Sequence, residues 1–162
     1  MAIKLILAGM AVAAAYRGQE EQEERGPVIA QRSGGMAMEA APIDPSWVIS
    51  GNPQARISRH SRSQDGMALT ALWDCTAGEF RWFFAVDETV VIQDGEVHVT
   101  AEDGTETVLT AGDIAFFKAN TWAVWRVDSY VRKVAFLRRP LPDSITSLLR
   151  IRDRLKNALA RG

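Results

Sequence analysis

Chemistry in this chain would have to begin at Glu88. It lies in GEFRWFFAVDETVVIQDGEVHV, residues 78–99. A glycine, an aromatic strand, an acidic residue and Gly95 at a turn give this stretch the outline of a metal site. One carboxylate cannot hold a divalent transition metal against water, so nitrogen ligands should stand beside it. They do not. The chain has two histidines, His60 and His98, whereas zinc and catalytic transition-metal sites usually draw on roughly two or three. His98 shares strand parity with Glu96 and Thr100, opposite Val97 and Val99, and is expected to face outward. His60 lies in the polar stretch SRHSRS and is expected in a solvated loop or edge strand. The single cysteine, Cys75, excludes an internal disulfide and a cysteine-rich zinc site. No histidine is near Cys75 in sequence, which favours a buried apolar thiol over a nucleophile.

Around Glu88 the sequence is aromatic: Trp73, Trp82, Phe84, Phe117, Trp122 and Trp125. Two readings stay open. In one, bulky rings fill the interior as an ordinary core. In the other, Trp73, Cys75, Trp82, Phe84, Glu88, Phe117, Trp125 and Lys133 line a small apolar pocket for an organic ligand. A buried, unpaired carboxylate is costly. Glu88 should therefore be protonated, turned toward water, or paired with a base such as Arg126 or Lys133. If it is unpaired, Glu88→Gln should raise stability slightly.

The elements that position these residues are short strands. MALTALWDC, EFRWFFAV, TVVIQ, EVHVT, TETVLT, DIAFF, AVWRV and VRKVAFL alternate apolar and polar side chains with period two. Turns are expected at TAG, at EDG and, as a hairpin, at Asp94-Gly95. Strands in that number with no helix between them predict an all-β closed or sandwiched antiparallel sheet. At 162 residues, 47% apolar and 24% charged, the chain suits one globular domain with extensions. A net charge of −1 gives no pull toward nucleic acid. There is no internal repeat and no phosphate-binding glycine loop.

The segment DETVVIQDGEVHVTAEDGTETVLTAGDIAFFKANTWAVWRV resembles the cupin superfamily, and within it single-domain cupins of the ureidoglycine aminohydrolase group. Glu88, six residues and Gly95 keep the first cupin motif's spacing, and Gly112-Asp113 opens the second. The resemblance covers roughly residues 43–138 and implies a double-stranded β-helix, or jelly-roll barrel. It also implies ligand positions, which this chain does not fill. Counted back from Glu88, the first motif's histidines fall on Trp82 and Phe84; counted forward from Gly78, on Phe84 and Val86. The second motif's histidine position is Ala123, with Lys118 and Asn120 at the usual proline and glycine. No metal and no cofactor are expected in the barrel.

The ends differ from the barrel. Residues 1–35 combine the apolar run LILAGMAVAAA with an acidic linker, net −2 over residues 16–26, and the Gly/Ala-rich SGGMAMEAAP, residues 33–42, marks the boundary with the barrel. Leu5, Ile6, Leu7 and Val12 suit a membrane anchor or docking helix, with membrane contact through residues 1–16. Ala13-x-Ala15 before Tyr16 also fits a cleaved leader. After a barrel spanning residues 36–138, residues 139–162 predict an amphipathic helix capped by Asp143 or Ser144. Leu148, Ile151 and Leu155 lie on its apolar face; from Arg138 onward seven Lys/Arg stand against two Asp, net +5.

The expectation is a metal-free, non-catalytic cupin: an accessory or structural subunit docked by its ends to a protein partner or further copies, at a membrane. Alternatives are a small-metabolite enzyme resembling ureidoglycine aminohydrolase, or a small-ligand carrier. The corresponding locations are the periplasm or exterior after leader cleavage, or the cytoplasm.

Overall fold

The computed structural model describes residues 27–141. Eight strands form a single antiparallel sheet: β1 (Glu39–Ala40), β2 (Val48–Gly51), β3 (Ala55–Arg62), β4 (Ala68–Phe84), β5 (Asp87–Ala101), β6 (Glu106–Thr110), β7 (Ile114–Phe117) and β8 (Thr121–Arg138). The main path runs β1-β3-β4-β8-β5-β6; β2 also pairs with β4 and β7 with β5. No helix among the described residues is long and apolar enough to cross a membrane. The helices expected at the two ends, with Leu5, Ile6, Leu7, Val12, Leu148, Ile151 and Leu155, fall outside the described residues.

Three strands are long, with 17, 15 and 18 residues in β4, β5 and β8, and each carries a register shift near its middle. The shifts fall at Thr76/Gly78 on β4 and at Ile92/Asp94 and Gly95/His98 on β5. Extra residues at such points bend a strand and increase its twist. The sheet folds over along this line, so that Trp73 before the bend meets Phe80 and Trp125 beyond it, at centroid distances of 6.5 and 6.1 Å.

Two expected turns are thereby corrected. TAG and Asp94-Gly95 do not end strands; they are irregularities inside β4 and β5. Gly95 does have the positive φ that the sequence suggested, 74°. It spends that freedom on a close approach, since a Cβ there would lie 1.9 Å from the carbonyl oxygen of Tyr130 on β8. The turn at EDG is present, closed by Thr105 N–H to Asp103 Oδ1 at 2.9 Å.

The core lies between the two halves of the sheet: Trp73, Cys75, Phe80, Phe84, Val90, Ile92, Trp125, Val127, Val131 and Ala135 are among its buried members. Each buried ring removes ~150–250 Å² from water, a gross gain of ~4–6 kcal/mol at ~25 cal/mol/Å².

Candidate functional site

Glu88 and Lys133 meet at the centre of that core. Glu88 points in from β5, with Val90 and Ile92; Lys133 points in from β8, with Val131 and Ala135. Lys133 Nζ donates to Glu88 Oε1 at 2.7 Å, and the residues are only 3% and 5% exposed. The ammonium also sits over two indole faces, 4.3 Å from the centre of Trp125 and 4.9 Å from Trp73. Attraction to the ring quadrupoles offsets part of the lost hydration of the charge. Arg126, the other base the sequence offered, faces out from β8 and donates to Asp128 at 2.8 Å.

Trp73, Cys75, Phe84 and Trp125 are buried around the pair, while Trp82 and Phe117 are partly buried against the same cluster. Phe84 and Phe117 stack at 4.3 Å. Burial, with Asp74 as a like-signed neighbour, pushes the Cys75 thiol up to about 12, so it is protonated near neutrality. A groove of about 300 Å³ does occur, but it is lined by none of these eight residues. It lies on the outside of the sheet, with His60, Thr70, Leu72 and Val134 among its walls.

The ligand positions implied by the family resemblance are now placed. Trp82 is directly opposite Ala123 in the β4–β8 ladder, so counting back from Glu88 brings the motif positions side by side. None of Trp82, Phe84, Val86 or Ala123 has a lone pair to give a cation. Among the described residues, the buried polar atoms in this core without a partner are Trp73 Nε1 and Trp125 Nε1, which are donors only. The one carboxylate is held by an ammonium. These residues do not fit a metal ion. Asn120 takes the motif's glycine place with φ 62°, a conformation that asparagine tolerates better than most residues.

Two clusters were not anticipated. Asp74, 1% exposed, accepts from Arg56 Nε at 2.9 Å and Nη2 at 2.7 Å, and from the Tyr130 hydroxyl at 2.9 Å. The signal was an acid inside LWDC, a run buried on both faces. His98 does project away from the core cluster, as its parity suggested, with Nε2 3.2 Å from Glu96 Oε1 and 3.3 Å from Asp128 Oδ2. Arg126 also holds Asp128, placing a fixed cation beside these groups.

The family model of the EutQ-like cupin domain matches residues 62–135. Among solved structures, the chain is similar to a DUF861-family protein of unknown function from Pseudomonas syringae pv. tomato, at 25% identity and TM-score 0.58. That match covers 62% of this chain and 44% of the other, so the chain spans less than half of that protein's length. A DUF861-family protein from Thermotoga maritima is 36% identical over 40% of this chain and 73% of its own, with TM-score 0.38. A predicted oxalate decarboxylase, also from Thermotoga maritima, shares 16% identity with TM-score 0.52, over 70% of this chain and 99% of that one. No curated protein matches in sequence. The ureidoglycine aminohydrolase likeness gains no support from these matches. With its motif spacing, folded antiparallel sheet and EutQ-like domain, the chain belongs to the cupin superfamily.

Proposed function

We propose that this protein is a metal-free cupin without catalytic function in its barrel, acting as an accessory or structural subunit docked through its ends to a larger assembly at a membrane. The observation that carries the first half is the Glu88–Lys133 pair. Its ammonium supplies, within the barrel, the positive charge that a divalent ion would bring to a carboxylate, and the surrounding rings occupy the space of further ligands. What remains of the barrel is a stable frame. The second half rests on sequence: an apolar run at residues 5–15 and a basic amphipathic stretch at residues 143–162, both outside the described residues.

The test is fractionation of three forms, full-length, lacking residues 1–26, and lacking residues 143–162. The first deletion should release the barrel from membranes in folded form; burial of Leu5, Ile6, Leu7 and Val12 is worth ~1.5–3 kcal/mol for each of the larger side chains. The second should make the remaining association less sensitive to salt. If all three forms fractionate alike, the docking reading is wrong.

A further inference from the structure

Away from the core, three donor atoms from two strands converge on one point of the surface. His98 Nε2 lies 3.2 Å from Glu96 Oε1 and 3.3 Å from Asp128 Oδ2, and the three atoms are all within 4.8 Å of one another. Glu96 and His98 are alternate residues of β5, so their side chains leave the same face. Asp128 comes from β8, and a strand irregularity brings it there. Between the pairs Gly95–Val131 and His98–Arg126, Glu96 and Val97 on β5 stand against Val127, Asp128, Ser129 and Tyr130 on β8. The surplus residues of β8 bulge, and a bulge re-aims a side chain that a regular ladder would hold elsewhere. Asp128 thus stands beside His98, whose ladder partner is Arg126.

Hydrogen bonding does not account for this arrangement. A ring nitrogen offers one proton or one lone pair, yet two carboxylate oxygens face it. Both separations exceed the ~2.7–2.9 Å of a charge-assisted hydrogen bond. They suit donors that share a tetrahedral cation, since ligands ~2.0–2.2 Å from zinc stand ~3.3–3.6 Å apart. Asp128 is also held in the way a metal-ligating carboxylate is held. Arg126 Nη1 donates to its Oδ1 at 2.8 Å, which leaves Oδ2 for the ion. The two acids and Arg126 together leave one negative charge around a neutral imidazole. On the other side, β6 places Thr110 opposite Glu96 and Val108 opposite His98, and neither brings a competing cation.

We infer that Glu96, His98 and Asp128 form a surface site for a divalent ion of the zinc class, His98 binding through Nε2 and each acid through one oxygen. Ca²⁺ and Mg²⁺ favour shells made of oxygen alone, whereas imidazole joined by carboxylates suits Zn²⁺. Three protein ligands leave a fourth position. The side chains of His98, Glu96 and Asp128 are 31%, 51% and 58% exposed, so that position is open to water or to a donor from another molecule. The site uses neither Glu88 nor the terminal segments, and it stands whether or not the barrel itself is catalytic.

The experiment is Zn²⁺ titration of the full chain in competition with a chromophoric chelator, with His60→Ala as the control for the other histidine. Wild type and His60→Ala should each take up one equivalent by about 10 μM free Zn²⁺. His98→Ala should weaken uptake about 100-fold, and Glu96→Gln and Asp128→Asn about 10-fold or more, since losing an outer-shell partner alone costs ~10–100-fold. In nitrogen-15 spectra, Zn²⁺ should shift the ring resonance that is missing in His98→Ala and leave that of His60 in place. Glu96→Gln and Asp128→Asn keep the shape of exposed side chains and decide the matter should His98→Ala fail to fold. Uptake only near about 1 mM, an adventitious ion only, overturns the inference. So does uptake that is unchanged in a folded His98→Ala, unchanged in both acid variants, or lost in His60→Ala.

Discussion

Lys133 and Glu88 each depend on the other, because burying either charge alone costs several kcal/mol. Lys133→Met should therefore destabilise the barrel by ~3–5 kcal/mol, and Glu88→Gln should also lower stability, since Glu88 is paired. Replacing both, as Glu88→Leu with Lys133→Met, should be neutral or stabilising by ~1–4 kcal/mol, as measured by urea denaturation. A double variant as unstable as the sum of the singles would contradict this account of the pair. The sequence named two bases for Glu88, and strand parity separates them. Lys133 alternates with Val131 and Ala135, which are core residues; Arg126 lies between the buried Trp125 and Val127 and must face out. Tyr130 gives a pH test. Burial, then its hydrogen bond to Asp74 and that residue's charge, raises the phenol above its ordinary value. Its contribution to stability is thus fully present below pH ~10, the unfolded value, and is lost as pH rises through the folded value. Tyr130 should ionise above pH ~10 in absorbance titration, the transition being the one lost in Tyr130→Phe, and Tyr130→Phe should flatten the alkaline loss of stability.

At the level of the strands, alternation identified β4 to β8 because inward and outward faces differ in polarity along β4, β5 and β8, but it passed over β1, β2 and β3, whose residues show no such alternation. What it did not give was continuity. A glycine with positive φ serves a turn or a mid-strand irregularity equally well, and only the partner strand decides. Gly95 is decided by β8. Gly95→Ala should cost at least ~3 kcal/mol, since the added methyl group meets the Tyr130 carbonyl and strains a left-handed backbone, and thermal melting would register it. Asn120→Gly, at the other left-handed position, should change stability by less than ~0.5 kcal/mol, whereas Asn120→Val should cost ~1–2 kcal/mol. The apolar side chains on the sheet's outer face were harder to foresee. Val134 and Phe136 alternate with Lys133 and Ala135, so the polar residue of this stretch points in and apolar ones point out, inverting the usual rule.

For the molecule as a whole, motif spacing gave the superfamily before any contact was known, because the spacing reflects the sheet's register rather than its chemistry. The site was less legible. Sequence shows which ligands are missing at Trp82, Phe84 and Ala123 and offers Lys133, 45 residues along the chain, as one of several fates for Glu88, but the contact itself comes from the pairing of β5 with β8. Nor does local patterning bring Arg56, Asp74 and Tyr130 together, since those contacts cross β3, β4 and β8. The central claim is that the Glu88–Lys133 pair stands where a cupin would hold its metal. Metal analysis of full-length protein equilibrated with Mn²⁺, Fe²⁺ and Zn²⁺ tests it most directly, run beside Glu88→Gln and His98→Ala. The account predicts far less than one equivalent in the barrel, with any metal taken up by Glu96, His98 and Asp128, whose ligand atoms lie within 4.8 Å of one another, lost in His98→Ala and unaffected by Glu88→Gln. One equivalent that survives His98→Ala and disappears in Glu88→Gln would contradict it.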